Sequence, residues 1–206
     1  MIDVFKYSGL LLLAYLMGSI PFGLILAALF KNQDIRSRGS GNIGATNVLR
    51  VAGVKPGLLT LILDVLKGAL PVFLAVHLID NPVNFWGHLY PSLVAIAAFL
   101  GHLYPLYLGL RGGGKGVATA WGCFLVISPA AALVSLLVFI LLVCVSNRAS
   151  VASLAGAAIL PLAIWHAMHS PSVTFCSAMV TLLIIYKHKD NIVRLVQGTE
   201  SAIWKI

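Results

Sequence analysis

Residues 117–145 read VATAWGCFLVISPAAALVSLLVFILLVCV, an apolar run interrupted by Pro129. A helix that crosses a bilayer needs roughly 20 apolar residues. The run is therefore either one long kinked helix or two crossings, Val117–Ser128 and Ala130–Val145. Outward from it, further apolar runs occur at Ser8–Phe30, Pro56–Ile79, Trp86–Leu108, Ala149–His166 and Ser172–Tyr186. Splitting the run at Pro129 gives seven spans, and merging it gives six with both termini on one side. Lys and Arg in short loops concentrate on the cytoplasmic side of a membrane. With the split, one face collects Lys31, Arg36, Arg38, Arg50, Lys55, Arg111, Lys115, Arg148, Lys187, Lys189, Arg194 and Lys205, twelve of the 14 basic residues. The other face receives Lys6, and Lys67 lies inside a span. Merging would move Arg148 and the basic residues of the tail across and erase the bias. The expected fold is therefore an all-α polytopic membrane protein of seven transmembrane helices, with the N-terminus outside, the C-terminus in the cytoplasm and one membrane domain over residues 1–206.

Composition agrees. The 206 residues are 60% hydrophobic and 10% charged, with a mean hydropathy of +0.98, whereas a soluble domain is about 45–50% apolar and about 25% charged. Lys6 ahead of Leu10–Phe30 imitates a secretory signal, but the run continues without a small-residue cleavage site and reads as the first span. Cys123, Cys144 and Cys176 all lie in apolar runs and give neither a disulfide framework nor a CxxC motif. The few charges are lopsided, 14 basic against 6 acidic residues for a net +8.

Several of those cations lie beside glycine clusters. The first loop reads GSGNIGATNVLR over residues 39–50. Gly39 and Gly41 bracketing Ser40, followed by Asn42, let the backbone take positive φ and turn its N–H groups into a concave anion site. A helix starting near Ile43 adds its positive end, and Thr46 and Arg50, four apart, share one helical face. A flexible loop with ordinary positive-inside arginines is the plainer alternative. The second cluster, Gly109-Leu110-Arg111-Gly112-Gly113-Gly114-Lys115-Gly116, has the GxxxxGK spacing of nucleotide hydrolases. However, Gly116 stands where the magnesium-binding Ser or Thr belongs, and no strand precedes it. Nucleotide hydrolysis is rejected. What remains is a glycine nest with a lysine opening a helix, suited to phosphate.

Asp64 and Lys67, three apart in the second span, either neutralise each other in the bundle or contact substrate. Lys187 and Lys189 fit an anionic lipid surface, which leaves His188 and Asn191 unexplained. His102 lies within the third span on the way to the glycine nest, where it either bonds a helix carbonyl or meets substrate. His77, His88, His166 and His169 fall at the outer side, and His166 with His169 lacks a third metal ligand.

Absences narrow the chemistry. The residues five after each histidine are Pro82, Leu93, Tyr107, Pro171, Thr174 and Val193, so no HxxxxD box exists. The six acids are scattered, without the pairs that hold magnesium in lipid phosphotransferases. A metal-free, cofactor-free enzyme that handles phosphates through cations and backbone amides is what remains.

Together the motifs resemble one family, the bacterial acyl-phosphate:glycerol-3-phosphate acyltransferases. The matching pieces are GSGNIGATNVLR at 39–50, LDVLKG at 63–68, GHLYP at 101–105, GGKGVATA at 113–120 and HKDNIVRL at 188–195. They occur in family order and cover most of the loops assigned to the cytoplasmic face. One departure is local: where the family commonly has Phe-Lys or Phe-Arg before GGKG, this chain has Arg111-Gly112.

The resemblance implies a seven-helix protein of the bacterial inner membrane with its active site at the cytoplasmic face. It also implies transfer of the acyl group of a fatty acyl phosphate to the 1-hydroxyl of glycerol 3-phosphate, giving lysophosphatidic acid and phosphate. On this expectation Ser40, Arg50, His188 and Asn191 hold the glycerol phosphate. Lys115 with Gly113, Gly114 and Gly116 holds the acyl phosphate, and Thr46 and Asn47 hold the first loop. Gly39, Gly41, Asn42, Thr119, Lys67, Ser150 and Ser153 are further substrate contacts. Because the donor is already activated, no protein nucleophile is required. The hydroxyl proton goes to His102, to His188 or to the departing phosphate. The expected partners are the two substrates and membrane lipid, with no nucleic acid, and the protein is expected to be a monomer. The competing readings are an acyl-CoA or acyl-carrier-protein donor and an organophosphate transporter. A transporter usually places its site at the midplane between inverted repeats, and no repeat is visible here.

Overall fold

The computed structural model describes residues 2–31, 34–79 and 84–204. Lys205, counted above among the basic residues, lies outside them, as does the side chain of Lys6. Every regular element among the described residues is a helix, and the chain divides into two compact units, residues 1–127 and 128–206.

The first unit holds α1 (Ile2–Gly18), α2 (Phe22–Lys31), α3 (Ala45–Ala52), α4 (Val54–His77), α5 (Phe85–Leu103) and α6 (Val117–Ile127). The expected first span, Ser8–Phe30, is thus not one helix. Pro21 has no N–H to give, and the helix stops at Gly18 and restarts at Phe22. The third span also ends early. Tyr104 leaves the helix (φ −132°, ψ 68°), and Leu106–Leu108 form a separate 3₁₀ turn.

Lipid gives helices no hydrophobic reason to associate, so close backbone approach decides which surfaces meet. Gly68 of α4 has the carbonyl of Thr119 where a Cβ would stand, and Gly122 of α6 has the carbonyl of Val65 there. This reciprocal pair brings α4 against α6. Leu10 and Ala14 of α1, Val72 and Ala75 of α4, Tyr90, Val94, Ala95 and Ala98 of α5, and Cys123 of α6 form the buried centre.

The second unit holds α7 (Pro129–Ser146), α8 (Ala149–Met168), α9 (Pro171–Lys187) and α10 (Lys189–Val196). α6 ends at Ile127, Ser128 is non-helical (φ −146°, ψ 84°) and Pro129 opens α7, so the 117–145 run is two helices as expected. Here hydroxyls join the helices. Ser135 Oγ donates to the Gly156 carbonyl at 2.8 Å, and Thr181 Oγ1 donates to the Ala157 carbonyl at 2.7 Å.

Among the described residues five stretches are long and apolar enough to cross a membrane: 7–31, 54–77, 85–108, 129–146 and 149–168. α6 and α9 are apolar but shorter, at 11 and 17 residues. At 1.5 Å per residue they reach about 16 and about 26 Å, against a hydrocarbon core of about 30 Å.

Candidate active site

The first glycine loop is ordered by one side chain. Asn47, 3% exposed, sits in α3 with its amide turned back into the loop. Its Oδ1 accepts from Ser40 N at 2.9 Å, and its Nδ2 donates to the carbonyls of Ile35, Arg38 and Asn42 at 3.3, 3.2 and 2.8 Å. Gly39 has φ +58°, and a Cβ there would run into Asn47 Oδ1, so glycine is required on both counts. Beneath the loop, Ile35 and Ile43 are buried with Ala27, Val48 and Ala52. Asp34 caps the short turn Ile35–Ser37, and hydrogen bonds from the side chain and backbone N–H of Arg36 hold its carboxyl at about 2.

Three N–H groups of this loop are not turned outward as its glycines suggest. Those of Ser40, Gly41 and Gly44 bond to Asn47 Oδ1, Arg38 O and Asn42 Oδ1. What the loop offers at its surface is the exposed side chains of Ser40, Thr46 and Arg50 and the start of α3, which begins at Ala45.

The second glycine loop is shaped by what lies under it. Gly114 N donates to the His102 carbonyl at 3.2 Å. A Cβ on Gly114 would overlap the His102 ring, and one on Gly113 would overlap the Leu103 carbonyl. Gly116 (φ +79°) lies on Phe99 and accepts from Ala120 N at 2.8 Å as α6 begins. Lys115 is half-buried between the buried Gly114 and Gly116, and Arg111 is exposed.

Below this loop lies a buried polar group. Lys67 Nζ is 2.8 Å from Asp64 Oδ1 and donates to the Ile20 carbonyl at 2.9 Å. His102 Nδ1 is 3.2 Å from Thr119 Oγ1 and 3.8 Å from the same Asp64 oxygen. The first unit therefore sorts its candidates into an exposed set, Ser40, Thr46 and Arg50, and a buried set, Lys67, His102 and Thr119.

In the second unit His188 closes α9, and its Nδ1 lies 2.8 Å from the Ile184 carbonyl. A carbonyl can only accept, so Nδ1 carries the hydrogen and Nε2 is the acceptor nitrogen of the neutral ring. Asn191 Nδ2 donates to Glu200 Oε1 at 2.6 Å, and Arg194 Nε donates to Glu200 Oε2 at 2.8 Å. Burial pushes the Glu200 carboxyl up, but contacts with Asn191, Arg194 and Ser150 outweigh it and leave the carboxyl below its ordinary range. The buried Ser150 hydroxyl has no hydrogen-bond partner among the described residues and acts on Glu200 through proximity. Ser153 is buried one turn along α8. Asn147 holds the tail, accepting from Ile203 N and Trp204 N through Oδ1 at 3.2 and 2.9 Å. Sequence reasoning missed Glu200 and Asn147. Glu200 follows Gly198, whose positive φ (71°) folds the chain back on α10, and a lone acid just past such a glycine was the available signal.

The family model for glycerol-3-phosphate acyltransferase matches residues 8–198. The chain belongs to the glycerol-3-phosphate acyltransferase family. A relative of that name from Syntrophotalea carbinolica is 48% identical over 93% of this chain and 95% of its own. The fold matches crystal structures of PlsY (YgiH), an integral membrane glycerol 3-phosphate acyltransferase. One is its glycerol 3-phosphate form (TM-score 0.89, 39% identity, 96% of this chain and 95% of that one), and the other its lysophosphatidic acid form (TM-score 0.86, 38% identity, the same coverage). Exposed guanidinium and hydroxyl groups, a half-buried ammonium and two helix starts suit anionic phosphates, to which charge-assisted hydrogen bonds are about twice as strong as neutral ones.

Proposed function

We propose that this acyltransferase moves the acyl group of a fatty acyl phosphate to the 1-hydroxyl of glycerol 3-phosphate, giving lysophosphatidic acid and inorganic phosphate as the first acylation of phospholipid synthesis. The observation that carries this reading is the pair of crystal forms of its structural relative, one with an acyl acceptor and one with the acylated product. The glycine nest around Lys115 adds a place for a second phosphate, which an acyl phosphate carries directly on its acyl carbonyl, whereas CoA and acyl-carrier-protein thioesters carry phosphate far from theirs.

In this reading Ser40, Arg50, His188 and Asn191 bind glycerol 3-phosphate. Lys115 with Gly113 and Gly116 binds the phosphoryl group of the donor, while Gly114, expected to do so as well, is buried with its N–H given to the His102 carbonyl and shapes the loop instead. Gly39, Gly41, Asn42, Thr46 and Asn47 shape the first loop. Ser150 and Ser153 are further contacts. The acceptor oxygen attacks the acyl carbonyl carbon, the bond from that carbon to the phosphate oxygen breaks, and phosphate leaves. The proton passes to His188 Nε2 or to the departing phosphate. His102 is reassigned from base to support, because its ring is buried under Gly114. Cations near the leaving phosphate and the developing oxyanion supply the catalysis, together with positioning.

The reading also places both glycine loops on the cytoplasmic side of the bacterial inner membrane, in a monomer of seven crossings with the N-terminus outside. The two crossings beyond the five long helices are assigned to α9 and to α6, which by itself reaches through only about half of the hydrocarbon core. The one-sided Lys and Arg count supports this orientation.

The test is purified protein in detergent with glycerol 3-phosphate and, in turn, acyl phosphate, acyl-CoA and acyl carrier protein. Lysophosphatidic acid formed from acyl phosphate without any membrane gradient is the expected result. Product only from a thioester overturns the donor, and no product from folded protein overturns the reaction. His188→Gln separates the two proton acceptors, since near-normal turnover at saturating substrate assigns the proton to phosphate.

A further inference from the structure

The polar group beneath the second glycine loop is bound more tightly into the nest than a self-neutralising ion pair needs to be. Asp64 and Lys67 are 3% exposed at their side chains. Lys67 is satisfied by Asp64 and by the Ile20 carbonyl, and the same Asp64 oxygen also faces His102 Nδ1 at 3.8 Å. Thr119, one turn into the helix that the nest opens, closes the other side of that nitrogen at 3.2 Å. The far edge of the ring, Nε2, stands where a side chain of Gly114 would be. The backbone of His102 accepts from Gly114 N. His102 therefore touches the nest twice, once through its carbonyl and once through its ring.

The χ2 torsion of a histidine is broad, so a ring held only by packing would swing. Each swing would lift or drop Gly114 and with it Lys115. We propose that Asp64 is a positioning residue for acyl transfer. With Thr119 it fixes the His102 ring, and the ring sets the height of Gly114 and the aim of Lys115 at a substrate phosphate. This role rests on the acyl-transfer reading, and wild-type turnover in the same assay reports on that reading separately.

Three variants test it, each checked for thermal unfolding in detergent. Asp64→Asn keeps the shape and removes the charge. It is expected to raise the apparent KM for one of the two phosphate-bearing substrates about tenfold while kcat stays within about threefold. Asp64→Asn combined with Lys67→Met removes both charges together, guards against a stranded ammonium and is expected to show the same KM rise. A residue that serves stability alone would lower the amount of active enzyme and leave KM where it was. An unchanged KM in both variants therefore overturns the proposal, as does a loss confined to kcat. The third measurement is a cycle of Gly114→Ala and His102→Ala. If ring and glycine act as one unit, the double variant is no worse than Gly114→Ala alone. If the two losses multiply, ring and nest are independent and the proposal fails.

Discussion

Two polar segments, Asp34–Arg50 in the first unit and Asn191–Glu200 in the second, are each organised by a single side chain, and the two side chains differ in kind. Asn47 makes four hydrogen bonds as a neutral amide in the first. Glu200 grips Asn191 and Arg194 as a carboxylate in the second. An amide serves backbone donors and acceptors at once and does not titrate. A carboxylate only accepts, and it can hold a guanidinium and an amide together only while ionised. The first segment should therefore keep its shape over the whole pH range of the fold, and the second should not.

Removing Asn47 is the strongest test of the first half of that contrast. Asn47→Ala deletes four bonds and leaves buried carbonyls unpaired, at about 1 kcal/mol each net. We expect at least about a hundredfold loss of turnover, since Ser40 and Arg50 lose their common frame, with a lowered melting temperature in detergent. Near-normal activity would mean that Ile35 and Ile43 hold the loop without the amide. Glu200→Gln has a smaller effect, about 1 kcal/mol and ~3 °C in melting temperature, and its pH dependence is the sharper readout. The Glu200 carboxyl is lowered in the folded protein. Its stabilisation is thus complete above the ordinary glutamate value of about 4.3 and disappears as pH falls through the lowered folded-state value. Melting temperature measured from pH 6 downward should show an acid loss in the wild type that flattens in Glu200→Gln. A loss of equal steepness in both proteins would break the contrast. The smallest effect belongs to Asp34→Asn. That carboxyl is ionised at any working pH, since its hydrogen bonds with Arg36 hold it at about 2, but the pair is exposed and screened. Turnover should stay within about twofold.

Much of this was legible in the sequence for reasons that differ by element. The helices α4, α7, α8 and α9 fall within two residues of the apolar runs that announced them, because a membrane span is read from length and composition. The break at Pro21 was missed because Ser19 and Ile20 continue the apolar run, and hydropathy does not register a lost N–H. The glycine loops were recognisable, but the direction of their N–H groups was not. Gly39 and Gly41 permit an outward nest, but Asn47 Oδ1 takes the Ser40 N–H, while the Arg38 carbonyl and Asn42 Oδ1 take those of Gly41 and Gly44. Lys67 and Asp64 were visible as an intramembrane pair, whereas their neighbour His102 comes from another helix and needed the fold. Glu200 was invisible because its partners are brought back by the turn at Gly198.

The interruption between α1 and α2 ties together residues 47 positions apart in the chain. Leu24 N bonds to Pro21 O at 3.0 Å rather than to the Ile20 carbonyl, which instead accepts from Phe22 N at 3.1 Å and from the Lys67 ammonium at 2.9 Å. Restoring a regular helix by replacing Pro21 would draw that oxygen to Leu24 N and leave the buried Lys67 with Asp64 alone, while replacing Lys67 would leave the carbonyl with Phe22 N alone. Each substitution changes the cost of the other. A proline in the first hydrophobic run and a lysine in the next one are thus expected to be coupled, so that changing both costs less than the sum of the two single changes.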